Sequence, residues 1–410
     1  MKRRWMLASS ALIFALGACS QEQVATEADF SQDWNELATE AEGTTVNLYM
    51  WGGSDSINSY FDEWVTPRLE EQYDISLNRV PVNDTQEILT QLLDEKTAGK
   101  ESGSIDIMWI NGENFRNAKD NDLLNQPFAD KLPNVAELVD QQAPQIAEDF
   151  GIPVDNLQAP WGTAQFVMTY NSEDVINVPT SFDKLAQWVQ DNPGQFTYPA
   201  LPDFTGGAFV RHALEEIVGT EQFTSDEPLE RDEFDTIMEP VWEYLNAIEP
   251  YLWRAGDTYP ESLARLDQLY TNGEVAYTMA YDPIKAAAEV QNGRFPDSTR
   301  TFIFDGGTLS NTHYLAIPFN AENPLGAAVV INELLSVEAQ AAKLDPANWG
   351  DLPVLDFSKL SDEQQQVFTA IDLGEASLSI EELESKRIAE IPSIYVEWIE
   401  EGWLENVAQN

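Results

Sequence analysis

Two short stretches bring together residue types that can hold a small molecule. "WGGSD" (Trp51 to Asp55) follows the mostly apolar run "TVNLYM", and "NGEN" (Asn111 to Asn114) follows "IDIMWI". In each, apolar residues give way to glycine and short polar groups, so that free backbone N–H groups and a ring face can approach one ligand. The candidate contacts here are Trp51, Gly52, Gly53, Ser54, Asn111, Glu113 and Asn114. Further candidates are Trp161 in "PWGT", Thr205, Gly206 and Gly207 in "DFTGGAFVRHALEEIVG", and Tyr281 and Asp282 in "GEVAYTMAYDP". Two ligand chemistries compete. Asp282 and Glu113 beside Tyr281, Trp51 and Trp161 would form an aromatic and carboxylate box, which favours an organic cation through ring faces and ion pairing. The Gly-Gly helix start, with Arg211 one turn on, would instead suit an anion or a carbonyl. The cation is the leading class, with anionic, sugar and ferric-complex ligands as alternatives. Each candidate also has a plainer role: Asn-Gly as a hairpin turn, the tryptophans as core, Asp282 as a turn residue before Pro283.

Catalytic constellations are sparse. The two histidines, His212 and His313, lie far apart and without metal-ligand spacing, so no metal and no cofactor is expected. No G-x-S-x-G elbow, P-loop or G-x-G-x-x-G is present. Among 71 acidic residues, carboxylate pairs of the glycosidase kind arise by chance, so an exported carboxylate hydrolase is the remaining enzymatic alternative.

The elements that position these residues alternate strand and helix. "TVNLYMW" reads as a strand, followed by a glycine turn and a helix capped at Ser54 or Asp55 with Ile57, Tyr60, Phe61 and Trp64 at helical spacing. Pro67 should kink or end that helix. "ISLNRVPV" gives a second strand, Thr85 caps a second helix, and "DIMWI" is a third strand. In a parallel sheet of such units ligands bind beyond the carboxyl ends of the strands, which sets the "WGGSD" and "NGEN" loops along one wall of a cleft. Ser181 should cap a helix with Phe182, Leu185, Trp188 and Val189 facing inward.

Composition fits a globular, exported protein. Of 410 residues, 43% are hydrophobic and 11% aromatic, enough to bury a large core in two or three domains. The N-terminus has Lys2, Arg3 and Arg4 before a short apolar run that ends in Leu16, Gly17, Ala18 and Cys19, the pattern of a lipoprotein signal. Cys19 is the only cysteine, which makes it the expected lipid attachment point. A net charge of −49 excludes nucleic acid as a partner.

Taken in order, "WGT…YN" before "PTSFDKLAQWV", then "GEVAYTMAYDP", then "THYLAIPFNAENPLGAAVVINELL" resemble the periplasmic solute-binding proteins of ABC importers. More narrowly, "WGGSDSINSYFDEWVTPRLEEQY" with "DIMWINGENF" is similar to the YnjB-type subfamily, itself related to thiamine-binding receptors. The resemblance implies an α/β, two-lobe periplasmic-binding-protein fold of type II, each lobe a mixed, mostly parallel sheet flanked by helices. It implies a signal at 1–18, a lipidated tether at 19–43, lobe one at 44–168 plus 280–330, and lobe two at 169–279. Helices at 331–410 would pack across lobe two and back, and "TAQFVMTYN" and "VAYTMAYDP" would be hinge strands. The implied role is a monomeric, lipid-anchored receptor without catalysis. It would close over a small-molecule ligand on the periplasmic side of the envelope and pass it to ABC permease and ATPase subunits.

Overall fold

The computed structural model describes residues 28–223 and 228–408. The expected signal at 1–18 and Cys19 lie outside these residues. Part of the segment expected as a tether at 19–43 is folded: Asp33 caps a helix at Trp34–Ala41 whose Leu37 and Ala41 are buried. Phe30 already packs on Phe128, ring centroids 5.7 Å apart, so apolar side chains draw this segment into the body.

Thr45–Trp51 lies one strand in from an edge of a six-stranded sheet, parallel to the edge strand Ser76–Val82 on one side and to Ile107–Ile110 on the other. The long strand Thr308–Ala316 returns antiparallel beside Ile107–Ile110 and also pairs with Gln158–Gln165 and, in parallel, with Arg387–Ala389. Helices cover both faces. Pro324–Leu334 is buried over nearly its whole length against this sheet, which explains a sequence of small and branched apolar residues with no polar stripe. Among the described residues no single helix is long and apolar enough to cross a membrane.

The second sheet has three strands, Tyr277–Ala280, Val167–Asn171 and Thr299–Phe302, with both pairings antiparallel, where a mostly parallel sheet was expected. The helices Phe182–Asp191, Phe204–Ile217 and Arg231–Ile248 surround it. Ser181 caps the first of these, with Phe182, Leu185 and Val189 buried as its spacing predicts.

Two large hydrophobic cores follow, one per lobe of an α/β fold. The chain passes between them at Gln158–Gln165 and Val167–Asn171, where Phe166 N donates to Leu309 O at 2.8 Å. Along the second expected crossing the side chains divide: Tyr277, Met279 and Tyr281 join one core, Ala280, Ile284 and Ala287 the other. Residues grouped above with the first lobe do not all stay there, since Phe295, Phe302, Phe304 and Leu309 pack in the second core. The C-terminal region also splits. Val337 to Leu383 pack in the first core, whereas Ile391, Tyr395, Ile399 and Trp403 pack in the second.

Two local expectations change. Of the two outcomes expected at Pro67, the helix does not end there but is interrupted: a wide π-helical turn at Tyr60–Val65 precedes Thr66–Tyr73, and Thr66 N–H reaches back to Phe61 O. The turn accommodates a ring that has no N–H to donate. Asp84, not Thr85, caps the helix Thr85–Thr97.

Candidate functional site

"NGEN" is neither a hairpin nor an open loop. Asn111 is extended, and the helix Gly112–Asp120 starts at once, with Gly112 at φ +57°. Gly112 N–H donates at 2.8 Å to the buried Asp149 carboxylate, which also accepts from Gln158 Nε2 at 2.9 Å. Burial pushes the Asp149 carboxyl up to about 7, with these two hydrogen bonds opposing. "WGGSD" does open a helix, Asp55–Ser59, with Ser54 as its cap. A Cβ on Gly52 would sit 2.4 Å from Pro81 Cβ, and one on Gly53 would sit 2.2 Å from the Trp51 ring, so both glycines permit close packing.

A cleft of 1080 Å³ lies between the two cores, lined by Trp51, Gly53, Ser54, Thr205, Tyr281 and Asp282 from the sequence candidates. A recess of 290 Å³ shares Trp51, Trp109, Phe204, Tyr281 and His313 with this cleft and adds Asn111. Trp51 is 45% exposed, which is unusual for an indole and leaves a large ring face open. Tyr281 presents its ring beside Phe204, centroids 5.1 Å apart, while its hydroxyl donates to Glu390 at 2.6 Å.

Other candidates lie elsewhere. Gly52, Glu113, Asn114, Gly206 and Gly207 do not line the cleft or its recess. Because the helix begins at Gly112, Glu113 falls on its outer side. There it lies 3.9 Å from Arg116, which also meets Glu397 of the helix Ser393–Asn406 at 3.3 Å. Trp161 is fully buried under the site, its ring 5.3 Å from both Trp109 and Trp349, and a side chain on a strand buried on both faces has no route to a ligand.

The Gly-Gly helix start is occupied by the protein itself. Asp203 Oδ1 accepts from Thr205 N and Gly206 N at 3.0 Å each, and Asp203 O accepts from Gly207 N at 2.8 Å. Gly206 is required for packing, since a Cβ there would lie 2.2 Å from Pro199 O. Arg211 is buried in a two-pronged pair with Glu390, at 2.8 and 2.9 Å. These donors are therefore spent, and little remains in this region to hold an anion.

Sequence reasoning missed Trp109, Phe204, His313, Trp349 and Asp351, all of which line the cleft. Trp109 is the penultimate residue of the third strand, two positions before Asn111, and was within reach of the same strand-end rule. Trp349 packs on Trp161 and also faces the cleft. Asp351 accepts from Lys343 Nζ at 2.6 Å and from His313 Nε2 at 3.2 Å. Burial raises the Asp351 carboxyl, but Lys343 and His313 outweigh it and hold the group below its ordinary range.

The cleft is acidic. Its lining contains six carboxylates, Asp55, Asp203, Asp267, Asp282, Glu289 and Asp351, against two cations, Lys285 and Arg294. Both cations are already paired, Lys285 with Asp267 and Arg294 with Glu289. Asp282 is half-buried, accepts from Ile284 N at 3.1 Å and has no salt-bridge partner among the described residues. Burial first, and then the nearby Asp351 charge, push its carboxyl up to about 7. An uncompensated carboxyl between aromatic walls suits a cation far better than an anion.

Comparison with known proteins agrees with this architecture. Residues 64–368 match the family described as bacterial extracellular solute-binding protein. Protein YnjB of Escherichia coli (strain K12) is 36% identical over 395 residues, 96% of each chain, in line with the resemblance read from the sequence. Among solved structures, the spermidine/putrescine ABC transporter substrate-binding protein PotD of Streptococcus pneumoniae superposes with a TM-score of 0.61 at 15% identity, over 88% of this chain and 98% of that one. The periplasmic binding protein AfuA of Actinobacillus pleuropneumoniae, with fructose-6-phosphate bound, superposes with a TM-score of 0.59 at 13% identity, over 90% and 99%. At such identities the likeness concerns the fold. With a family match over residues 64–368 and a relative aligned across 96% of the chain, this protein belongs to the bacterial extracellular solute-binding protein family.

Proposed function

We propose that this protein captures a small organic cation in the cleft between its two lobes and delivers it to the membrane subunits of an ABC importer. The observation that carries the reading is the cleft lining: exposed and half-exposed aromatic rings around six carboxylates, with both lining cations already paired. Ligand contacts to Trp51 and Ser54 on one side and to Thr205, Tyr281 and Asp282 on the other would raise the population of a closed state. The strands Gln158–Gln165, Val167–Asn171 and Thr308–Ala316, which link the cores, are the natural hinges. The name of the PotD receptor, spermidine/putrescine, belongs to the same ligand class, whereas AfuA with its sugar phosphate reminds one that this fold serves either sign.

The rest of the reading comes from the sequence. Cys19, after the lipoprotein-type signal, would carry the lipid that tethers a monomeric receptor to the envelope. No chemistry is performed on the ligand. The test is a titration of the Trp51→Ala, Asp282→Ala double variant with a cation that the wild type binds. Loss of binding with an unchanged circular dichroism spectrum and melting profile supports the site. Wild-type affinity in that variant rejects it.

A further inference from the structure

The recess beside the main cleft carries two polar atoms that no described residue satisfies. Asn311 and His313 alternate on the strand Thr308–Ala316, so their side chains leave the same face, and both line the recess of 290 Å³ with Trp51, Trp109, Phe204 and Tyr281. Asn311 is 7% exposed, and among the described residues its Oδ1 has no hydrogen-bond partner; His313 Nδ1 is likewise buried and without one. The His313 ring is held from its other side, where Nε2 lies 3.2 Å from the Asp351 carboxylate, and its face is fixed by Trp109 at 5.2 Å. A carboxylate accepts only, so Nε2 bears the hydrogen, and in the neutral ring Nδ1 presents a lone pair.

Buried polar atoms are nearly always paired, and leaving one unpaired in a folded protein is unfavourable. Two unpaired acceptors on one strand face, enclosed by four aromatic rings, are an arrangement waiting for donors. The rings alone would not distinguish one organic cation from another, because a ring face attracts a quaternary ammonium as well as a primary one. The acceptors do distinguish them.

We propose that Asn311 and His313 form a subsite that reads N–H donors, so that the receptor selects cations with primary ammonium, amidinium or guanidinium groups and rejects quaternary ammonium ions. The inference rests on the cation reading above and specifies which cations. A quaternary ion brings charge and methyl groups but no donor, so it would bury both acceptors unpaired, and a site built to hydrogen-bond a ligand discriminates strongly against an analogue that lacks the donor.

The experiment is isothermal titration of the purified protein with putrescine, agmatine and phenethylamine, compared with choline and the N-trimethyl derivative of phenethylamine. The wild type should bind at least one N–H-bearing cation, at least about tenfold more tightly than the quaternary ions. Asn311→Leu should remove most of that preference. Asn311→Asp, which keeps the shape and offers only acceptors, should retain or increase it. Melting curves of both variants establish that they fold. Quaternary ions bound as tightly as their N–H counterparts overturn the subsite and leave the cation reading intact. So does an Asn311→Leu protein that folds and keeps the full preference, or an Asn311→Asp protein that folds and loses it. A wild type that binds no cation of either kind overturns the subsite and the cation reading together.

Discussion

Capture of a cation should be linked to a proton at Asp282. The carboxyl sits half-buried in the cleft, burial and the Asp351 charge push it to about 7, and the hydrogen bond from Ile284 N and the charge of Lys285 only partly oppose them. Lys285 is held by Asp267 at 2.5 Å, so it does not supply a contact ion pair. Asp351 stays ionised because Lys343 and His313 hold it there. With a carboxyl at about 7, roughly one tenth of the empty protein is ionised at about pH 6 and roughly nine tenths at about pH 8. If the ionised form is the one that binds, apparent affinity should rise about tenfold across that interval, since the competent fraction scales the dissociation constant. The assay is calorimetric titration at several pH values, repeated in buffers of different ionisation enthalpy so that released protons are counted. Near about pH 6 close to one proton should leave per cation bound, and near about pH 8 almost none. Asp282→Asn should bind more weakly at high pH and show a flat profile. A wild-type profile that is flat across this range, or an Asp282→Asn protein that keeps the slope, would show that Asp282 does not face the ligand as an ionising group.

Three further outcomes test the surrounding structure. Asp149 is fully buried with its carboxyl raised to about 7, so the folded state holds a proton that the unfolded chain releases near its ordinary value of 3.8, and stability should fall as pH rises from that value toward 7. Asp149→Asn should remove that fall and raise the melting temperature above pH 7: its Oδ1 can still accept from Gly112 N–H, and Gln158, whose Oε1 has no partner, can turn its amide to accept from the new NH₂. Glu390→Gln should destabilise by about 3–5 kcal/mol in chemical denaturation, because it leaves the buried Arg211 guanidinium without its counter-charge and weakens the acceptor for Tyr281. Cys19→Ser should yield an unlipidated product in metabolic labelling with a radioactive fatty acid, and continued label on that variant would refute the anchor.

Much of the frame was legible because it depends on local patterns. Apolar runs such as Thr45–Trp51 and Ile107–Ile110 announce buried strands, and Ser54 and Ser181 announce helix starts through one side-chain oxygen each. The order of strands and helices then carries the two-lobe fold. The strand-end rule also found part of the cleft, including Trp51, Ser54, Tyr281 and Asp282. It could not reveal which strand-end groups the protein spends on itself. Gly112 N–H is taken by Asp149, 37 residues away, and Arg211 by Glu390, 179 residues away, and neither separation follows a local period. Trp161 looked like a wall and is a floor, because the long strands beside it and the segment around Leu352 close over both its faces. His313 and Asp351 entered the site together through one long-range contact, so neither had a signal alone. The antiparallel second sheet had no local signature either, since its strands are short and buried on both faces.

The central claim is that the acidic, aromatic cleft captures an organic cation. It is tested most directly by intrinsic tryptophan fluorescence of the purified protein titrated with matched panels of organic cations, sugars, phosphates and carboxylates, because Trp51, Trp109 and Trp349 line the cleft and report its occupancy. The account predicts a saturable change with at least one organic cation and none with the anions. A saturable change with an anion or a neutral sugar, and silence with every cation, would contradict it.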